Sequence, residues 1–537
     1  MAIFLKNPIQ KIREKFRGIF GIDVRALAAI RVGFALIIIF DLLSRARNLA
    51  AHYTDAGVFP RAAAFEYLAG RLRIPFHLLG GSWQFEIFLF GAAGIFALMM
   101  LVGYRTRFAT VLSWIFLISL QSRNPLLLQG GDFLLRLCLF WGMFLPWGTA
   151  YSWDAARRAA KKIGGIPAWI STVGTAGFLV QVALVYFSAF LSKLPWSEWT
   201  ASGNAIYYSL HISQFETFFG GALLSLGSLF PFLLPALTAG VILLEGCVLF
   251  LLFFPIATKF FRTIAVFLVL GLQLGLGLSM NLGPFPWVSA VAIIGFLPVF
   301  FWDAIAQFLK SRERPGLTIY YDGECGFCRT AARAFASFFF LQTAAVLPAT
   351  EKDGVLNDMM EKNSWIAVNA VGARIYKFGV FAEMARHSHV FRVCAPLLRF
   401  PPILAIGNFV YEFIAAHRSR KCVPDLPSRQ EEISKNITGP RSSQVSLSSP
   451  SPRIGSLPAW ATIIALLCIA QTLKWGIAGS PANPHWATFE TAVLLGINKW
   501  NMFERPSQIE SGWYETYGYL QSGERADVLQ NKKVIPG

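Results

Sequence analysis

Two cysteines, Cys325 and Cys328, stand two residues apart in the stretch YYDGECGFCR, just after Asp322 and Gly323. A CxxC pair of this kind can cycle between a dithiol and a disulfide. The surrounding segment LTIYYDGECGFCRTAARAFASFFF predicts a β-strand, a turn at Asp322 and Gly323, and a helix that starts near Cys325. Amide groups and the dipole at a helix N-terminus stabilise a thiolate. We therefore expect Cys325 to be the attacking sulfur and Cys328 to resolve the mixed disulfide.

Two other roles for the cysteine pair remain open. A zinc site would need two further ligands, and the candidates are the HSH stretch at 387–389, Cys394, His417 and Cys422. The pair could also be an inert structural remnant without redox chemistry.

The composition of the whole chain indicates an integral membrane protein. Of its 537 residues 55% are hydrophobic and 15% are charged, and the mean hydropathy is +0.51; soluble domains carry about 25% charged residues. The net charge of +18 comes from short basic runs between apolar segments. That pattern marks the cytoplasmic loops of a polytopic membrane protein, so we expect a lipid bilayer and no nucleic acid as partner.

Nine apolar segments are long enough to predict transmembrane helices. Basic loops follow the second, fourth, sixth and eighth segments, and the N-terminus is basic as well. Nine spans put all five basic regions on one side, which predicts a cytoplasmic N-terminus and an extracytoplasmic C-terminus. The predicted spans lie near 26–43, 84–102, 108–121, 132–147, 167–191, 233–253, 262–280, 287–302 and 459–478.

These segments divide the chain into four predicted regions. Residues 1–312 form a membrane domain with eight spans, and residues 313–430 form a cytoplasmic domain in which SWIAVNAVGARIYKFG predicts a hairpin. A Ser/Pro-rich linker at 431–457 is expected to be disordered. Residues 458–537 hold the ninth span and a short extracytoplasmic tail, predicted to be a β-hairpin that turns at Ser522 and Gly523. The expected fold is a polytopic α-helical membrane protein of about nine transmembrane helices with an inserted α/β thioredoxin-like domain.

Lys193, at the boundary of the fifth predicted span, has two interpretations. A lysine in this position can extend its ammonium group to the water interface or pair with Glu198. It can instead be a desolvated base beside a hydrophobic quinone pocket.

Glu245 and Gln273 are candidate cofactor-binding residues within the spans, together with Lys193. An unpaired carboxylate in mid-span costs on the order of 3 kcal/mol. Glu245 is therefore expected to be paired, protonated or functional. Lys193, Arg31 and Arg136 are its possible partners.

Residues 313–425 resemble the DCC family of thiol-disulfide oxidoreductases, named for an Asp-x-x-Cys-x-x-Cys signature. Asp322, Cys325 and Cys328 match the signature, and VYEFIAAHRSR resembles the final helix of the family. The resemblance implies a thioredoxin-like fold and dithiol chemistry with a cytoplasmic thiol or disulfide partner. Thioredoxins also carry a cis-proline opposite the pair, and in this chain Ser364 precedes the stretch WIAV instead.

Residues 20–302 and 459–520 resemble the HTTM domain, a bacterial membrane module related to vitamin K-dependent γ-carboxylase. The stretches GIDVRALAAIRVGFALIIIFDLLSRARNLAAHYTDAGVFPR, SRNPLLLQGGDFLLR and VYFSAFLSKLPWSEW follow the family in order. In the carboxylase branch the base is a lysine in a KL…W context, which Lys193, Leu194 and Trp199 match. The functional histidines of that branch are absent from RNPLLLQGG and from the span that carries Gln273.

The sequence thus predicts a membrane-bound thiol-disulfide oxidoreductase of the bacterial inner membrane. Cys325 and Cys328 would react, and the membrane domain would bind a lipophilic small molecule, with a quinone as the candidate. One alternative is a carboxylase-like modifying enzyme whose base is Lys193. Another is a non-enzymatic membrane partner in peptide or toxin maturation or export.

Overall fold

The computed structural model describes residues 18–67, 76–161, 167–352 and 354–417, and strands at 517–519, 525–527 and 532–533. These residues form two compact units. The first contains the described parts of Met1–Ser192, Leu243–Gly277 and Leu282–Met502, and the second contains those of Lys193–Ile242, Leu278–Asn281 and Phe503–Gly537.

Helices make up most of the described chain before residue 313. Local sequence determines their ends: the Asp23 side chain accepts the N–H of Arg25 to cap the first long helix, and Gly103, at φ 72°, ends the helix that Ser82 caps. At the start of this region β1 (Ile22–Asp23) pairs antiparallel with β2 (Trp169–Ile170), which lies about 150 residues later in the chain. The helices are α1 (Val24–Ala46), α2 (Leu49–Tyr53), α3 (Arg61–Tyr67), α4 (Trp83–Val102), α5 (Thr106–Arg123), α6 (Gly130–Gly142), α7 (Trp153–Ala160), α8 (Val173–Lys193), α9 (Ser197–Thr200), α10 (Ala205–Leu210), α11 (Phe218–Leu229), α12 (Leu233–Phe253), α13 (Thr258–Ser279), α14 (Phe285–Ile293) and α15 (Val299–Arg312).

Five of these helices, α1, α4, α8, α12 and α13, are long and apolar enough to cross a bilayer. Two bent pairs could add one span each, so the described residues hold five to seven candidates and the predicted count of nine is not confirmed. The segments predicted at 108–121 and 132–147 form α5 and α6, which do not meet the length and hydropathy of a span. The segment predicted at 459–478 lies outside the described residues.

The two bent pairs differ from the sequence prediction. The span predicted at 287–302 is broken between Phe285–Phe296 and Val299–Arg312, whose axes differ by 101°. Pro298 lies at this break, where it cannot continue the preceding helix. The second pair, Phe391–Arg399 with Pro401–His417, is bent by 88° and lies in the region that was predicted to be entirely cytoplasmic.

In the first unit α4 packs on α1 and α5, and α14 packs on α1 and α6. Gly33 allows the close approach of α1 to α14, because a Cβ at this position would lie 2.7 Å from both Cγ atoms of Val291.

Residues after α15 form a mixed α/β region. Its sheet has the strand order β4-β3-β5-β6, in which β3 is parallel to β4 and the other neighbours are antiparallel. The predicted hairpin is confirmed by the pairing of β5 with β6. The elements are β3 (Thr318–Tyr321), α16 (Gly326–Phe338), β4 (Ala345–Pro348), α17 (Val355–Lys362), β5 (Ile366–Val368), β6 (Arg374–Tyr376), α18 (Gly379–His387), α19 (Ala395–Arg399) and α20 (Pro401–His417).

Alternation along β3 buries both faces of this sheet. Ile319 and Tyr321 pack into a core with α16 and α18, whereas Tyr320 packs into a second core with Val355 and Met359 of α17. The central strand thereby fixes the position of the turn that follows Tyr321, where the signature residues lie.

The region is attached directly to the end of α15. The carboxylate of Glu313 accepts the backbone N–H groups of Gln342 and Thr343 at 2.8 and 3.0 Å. One residue later, the N–H of Arg314 donates to the backbone oxygen of His387 at 3.1 Å. Three hydrogen bonds therefore anchor the two residues that follow the helix.

The second unit contains α9 to α11 and the first part of α12. The N–H of Asn281 donates to the Phe215 oxygen at 2.9 Å, and the Thr217 hydroxyl donates to the Leu278 oxygen at 2.8 Å. Near the C-terminus β7 (Tyr517–Tyr519) pairs antiparallel with β8 (Arg525–Asp527), which confirms the predicted hairpin, and β9 (Lys532–Lys533) adds a third strand. The predicted turn residues lie outside the described part.

Candidate dithiol site

Cys325 and Cys328 lie at the N-terminus of α16, as the sequence predicts. Cys325 is the N-cap residue, and its Sγ accepts the backbone N–H of Cys328 at 3.2 Å. The Cys325 N–H in turn donates to the Asp322 backbone oxygen at 3.2 Å. A sulfur that receives an amide hydrogen bond at a helix N-terminus is electrostatically suited to carry a negative charge.

Both sulfur-bearing side chains are nearly closed to solvent, with exposed fractions of 0% for Cys325 and 1% for Cys328. They pack into the core beneath β3, next to Ala331 and Ala332 of the same helix. A reaction partner must therefore reach the sulfurs through a cavity or through a local opening.

Asp322 lies beside the pair. Its Oδ1 accepts the N–H of Glu324 at 3.1 Å, which shapes the turn, and a carboxylate oxygen and the two sulfurs lie within 4.8 Å of one another. The structure thus brings all three signature residues together.

Three ligand atoms at this spacing could hold a metal ion, but the further zinc ligands suggested by the sequence do not join them. Within the described ranges, His387, His389, Cys394 and His417 all lie outside this cluster. His387 Nδ1 instead contacts the Glu383 backbone oxygen at 3.0 Å. Cys422 lies outside the described residues.

Next to the dithiol is an apolar cavity of about 670 Å³. Phe327, Cys328 and Phe335 of α16 line one side, and Val410 and Tyr411 of α20 line the other. Cys328, and not Cys325, is the cysteine on this wall. The cavity could not be predicted from the sequence, because α20 is about 80 residues away from the cysteine pair along the chain.

Lys193, the last residue of α8, is buried with an exposed fraction of 3%. Its Nζ lies 4.6 Å from the centre of the Trp199 ring, a cation–π geometry within the second unit. The predicted motif therefore brings Lys193 and Trp199 together, while its catalytic role stays a prediction.

Glu245 and Gln273 belong to the first unit, and both are buried. Gln273 Nε2 donates to the Tyr186 hydroxyl at 3.4 Å. Tyr186 is the residue that sequence analysis missed here. Its available signal was a phenol within the apolar segment VALVYFSAF.

Two further sets of buried polar side chains were not predicted from the sequence. His77 Nδ1 lies 2.6 Å from Glu86 Oε2, and both side chains are fully buried. Arg45 bridges Asp41 and Asp132 at 2.8 and 2.6 Å. Charged residues inside apolar segments, such as Glu86 in WQFEIFLF, could have indicated these pairs.

Comparison with known proteins identifies two families along the chain. Residues 21–301 match the HTTM domain, and residues 319–423 match the DCC1-like thiol-disulfide oxidoreductase family. A Bacillus subtilis (strain 168) protein, "Uncharacterized protein YitO", is 28% identical over 170 residues, which are 31% of this chain and 53% of that protein. The chain thus spans about half the length of this curated relative. No solved structure matches the chain.

Proposed function

This chain belongs to the HTTM family and carries a DCC1-like thiol-disulfide oxidoreductase domain, and on that premise we propose that Cys325 and Cys328 are the catalytic pair of a membrane-embedded oxidoreductase. The observation that carries the proposal is the amide hydrogen bond to Cys325 Sγ at the start of α16. This N–H and the helix dipole both favour a negative charge on the Cys325 sulfur.

The reaction follows from the positions of the two sulfurs. The Cys325 thiolate attacks one sulfur of a substrate disulfide, so the substrate S–S bond breaks, one thiolate leaves and a mixed disulfide forms. Cys328, one helical turn further on, then attacks Cys325 Sγ and releases the second thiolate. Two electrons pass from the protein dithiol to the substrate, and a cytoplasmic thiol partner returns the new Cys325–Cys328 disulfide to the dithiol.

We assign the domain to the thioredoxin-like class. The support is the sheet order β4-β3-β5-β6 with one parallel pair, and the dithiol at the first turn of the helix that follows the central strand. Asp322 is assigned the role of shaping the turn and of placing a carboxylate near both sulfurs.

We also propose that the protein lies in the bacterial inner membrane with its N-terminus and dithiol domain in the cytoplasm. The support is the alternation of basic loops along the sequence. Labelling of Arg314→Cys with a membrane-impermeant thiol reagent is expected only after the membrane is permeabilised. If Arg314→Cys were labelled in intact cells, the dithiol domain would lie outside the cytoplasm and the proposed orientation would be wrong.

A redox titration tests the catalytic pair. The purified full chain, equilibrated with thiol buffers and alkylated, is expected to show a two-electron transition of Cys325 and Cys328 between roughly −180 and −270 mV. Cys328→Ser should abolish that transition, and Cys394→Ser, an exposed cysteine of the same domain, should leave it unchanged. Absence of a Cys325–Cys328 disulfide at every potential would end the proposal.

A second candidate function, a carboxylase-like modification with Lys193 as base, is favoured by one observation. Lys193 is buried at the end of α8 with its ammonium group over Trp199. Loss of the carboxylase-like activity in Lys193→Ala, with the same activity kept in Cys325→Ser, would support this candidate. A lipophilic cofactor in the membrane domain is a separate proposal, supported by the buried hydrogen bond between Gln273 and Tyr186.

A further inference from the structure

The apolar cavity beside Cys328 has the dimensions of a small-molecule site. Its volume of about 670 Å³ lies within the range of roughly 300–1,000 Å³ that is usual for ligand pockets. The dithiol helix α16 forms one wall and α20 forms the other. A ligand in this space would contact the side chain of a redox-active cysteine.

The chemistry of the lining favours a flat, uncharged ligand. Fifteen described residues line the cavity; none of these is charged, and seven are aromatic. The rings of Phe335, Trp365 and Phe381 form a cluster with centroids 4.7 to 6.3 Å apart. Such rings stack on a planar π-system. A hydrophilic thiol with charged groups would lose its hydration here without gaining a partner.

The mouth of the cavity is also apolar. Ile406, Val410 and Ile414 of α20 line the cavity and are about half exposed or more. Their neighbours Phe409 and Phe413 continue the exposed apolar face of the same helix. An exposed apolar helix face in a membrane-embedded protein is suited to contact the acyl chains of a bilayer. A lipophile that entered past Ile406, Val410 and Ile414 would meet their apolar side chains on its way to Cys328.

We propose that this cavity binds a quinone and that the Cys325–Cys328 dithiol reduces it, an inference that rests on the redox function proposed above. The two thiols give up two electrons and two protons and form an S–S bond. The quinone takes up both electrons and both protons and leaves as the hydroquinone. The thiol partner then restores the dithiol. Apart from Trp153 of α7, the described lining residues belong to the α/β region, and none of them is Lys193, Glu245 or Gln273.

Two glutamate substitutions on α20 provide the test. Ile406→Glu places a charge in the lining, whereas Phe409→Glu places the same charge on the same helix outside the lining. Both side chains are well exposed, at 66% and 72%, so neither substitution should prevent folding. Ile414→Glu and Phe413→Glu form a second matched pair.

The full chain in nanodiscs, first reduced, is mixed with a short-tailed ubiquinone analogue. Hydroquinone formation is followed by absorbance, and the Cys325–Cys328 disulfide by alkylation and mass. The rate is expected to fall about tenfold or more in Ile406→Glu, because a charge must be desolvated at the ligand. Phe409→Glu places the same charge on the same bilayer-facing side of α20 but outside the lining, so it measures the effect of that charge on membrane contact. The rate of Ile406→Glu should be about tenfold or more below that of Phe409→Glu.

The remaining outcomes separate this inference from the proposed function. A parent protein that forms the disulfide with the water-soluble oxidant diamide but not with the quinone would overturn the inference and leave the dithiol function intact. Equal losses of quinone-reduction rate in Ile406→Glu and Phe409→Glu would assign the effect to contact of α20 with the bilayer. That result would also overturn the inference that the cavity binds the quinone. Oxidation by an apolar cystine peptide, without quinone reduction, would identify a peptide as the occupant. Failure to form the disulfide with diamide would remove both proposals.

Discussion

Gly407 provides a direct test of how α20 packs against the dithiol domain. It lies on the helix beside the cavity, and a Cβ at this position would lie 2.3 Å from Phe378 Cγ. Ordinary van der Waals contact begins at 3.4 Å, so Gly407→Ala must move either the ring or the helix. The Phe378 backbone is held by an N–H donated to Asn408 Oδ1 at 3.1 Å, which limits relaxation.

The expected cost has two opposing parts. Overpacking a well-filled site destabilises by about 1–3 kcal/mol, whereas replacing a helical glycine with alanine stabilises by up to about 1 kcal/mol. Gly271→Ala isolates the second part, because Gly271 lies within α13 and a Cβ there meets nothing within 4 Å. The difference between the two variants is therefore the packing cost, about 1–3 kcal/mol.

Thermal unfolding of the full chain in detergent, followed by tryptophan fluorescence, measures this difference. A cost of 1 kcal/mol lowers Tm by roughly 4–8 °C for a domain of 60–100 residues. Gly407→Ala should therefore melt several degrees below Gly271→Ala. A Tm for Gly407→Ala equal to or above that of the control would refute the close packing of α20 on Phe378.

Three further predictions concern individual hydrogen bonds and charges. Tyr411→Phe removes the hydroxyl that accepts the Trp365 N–H at 2.8 Å. Chemical denaturation should show a free energy of unfolding lower by about 1–3 kcal/mol, and an unchanged denaturation midpoint would contradict this contact. Cys325→Ala removes the N-cap acceptor of α16 and should lower the free energy of unfolding by about 1 kcal/mol. Cys325→Ser keeps an acceptor and should leave the free energy of unfolding unchanged; equal stability of the two variants would contradict the capping role. Arg61 holds the pKa of Asp55 below its usual range, chiefly through a side-chain hydrogen bond. Since the folded pKa is depressed, the stabilisation is complete above the unfolded pKa of about 3.9 and is lost as pH falls through the folded value. Proteolysis of the segment between Asp55 and Arg61 should therefore become faster as the pH is lowered, and in Asp55→Asn its rate should no longer depend on pH in this way.

The dithiol turn could be predicted from the sequence because its determinants are local. The β-branched and aromatic residues of β3, the turn at Asp322 and the cysteine N-cap lie within a few residues of one another, and the structure agrees with each. The same holds for the hairpin of β7 and β8, whose pairing follows from alternation and a turn signal.

The cavity could not be predicted, because it depends on contacts between distant residues. Cys328 and Val410 are about 80 positions apart and line the same cavity because α20 packs on the domain. Gln273 reaches Tyr186 across 87 positions in the same way. The break at Pro298 was also missed, since hydropathy averages over a segment and does not report a change in helix direction.

The hydrogen bonds of Glu313 have a practical consequence for anyone who wishes to isolate the redox domain. The family match begins at residue 319, which would be a natural place to cut. A polypeptide that started there would lack the carboxylate that accepts the N–H groups of Gln342 and Thr343, and it would also lack Leu317, which is buried in the core. An excised domain should therefore begin before Glu313. In protein engineering terms, the segment from Glu313 to Leu317 is a part of the redox module that would have to be transferred with it into any new host.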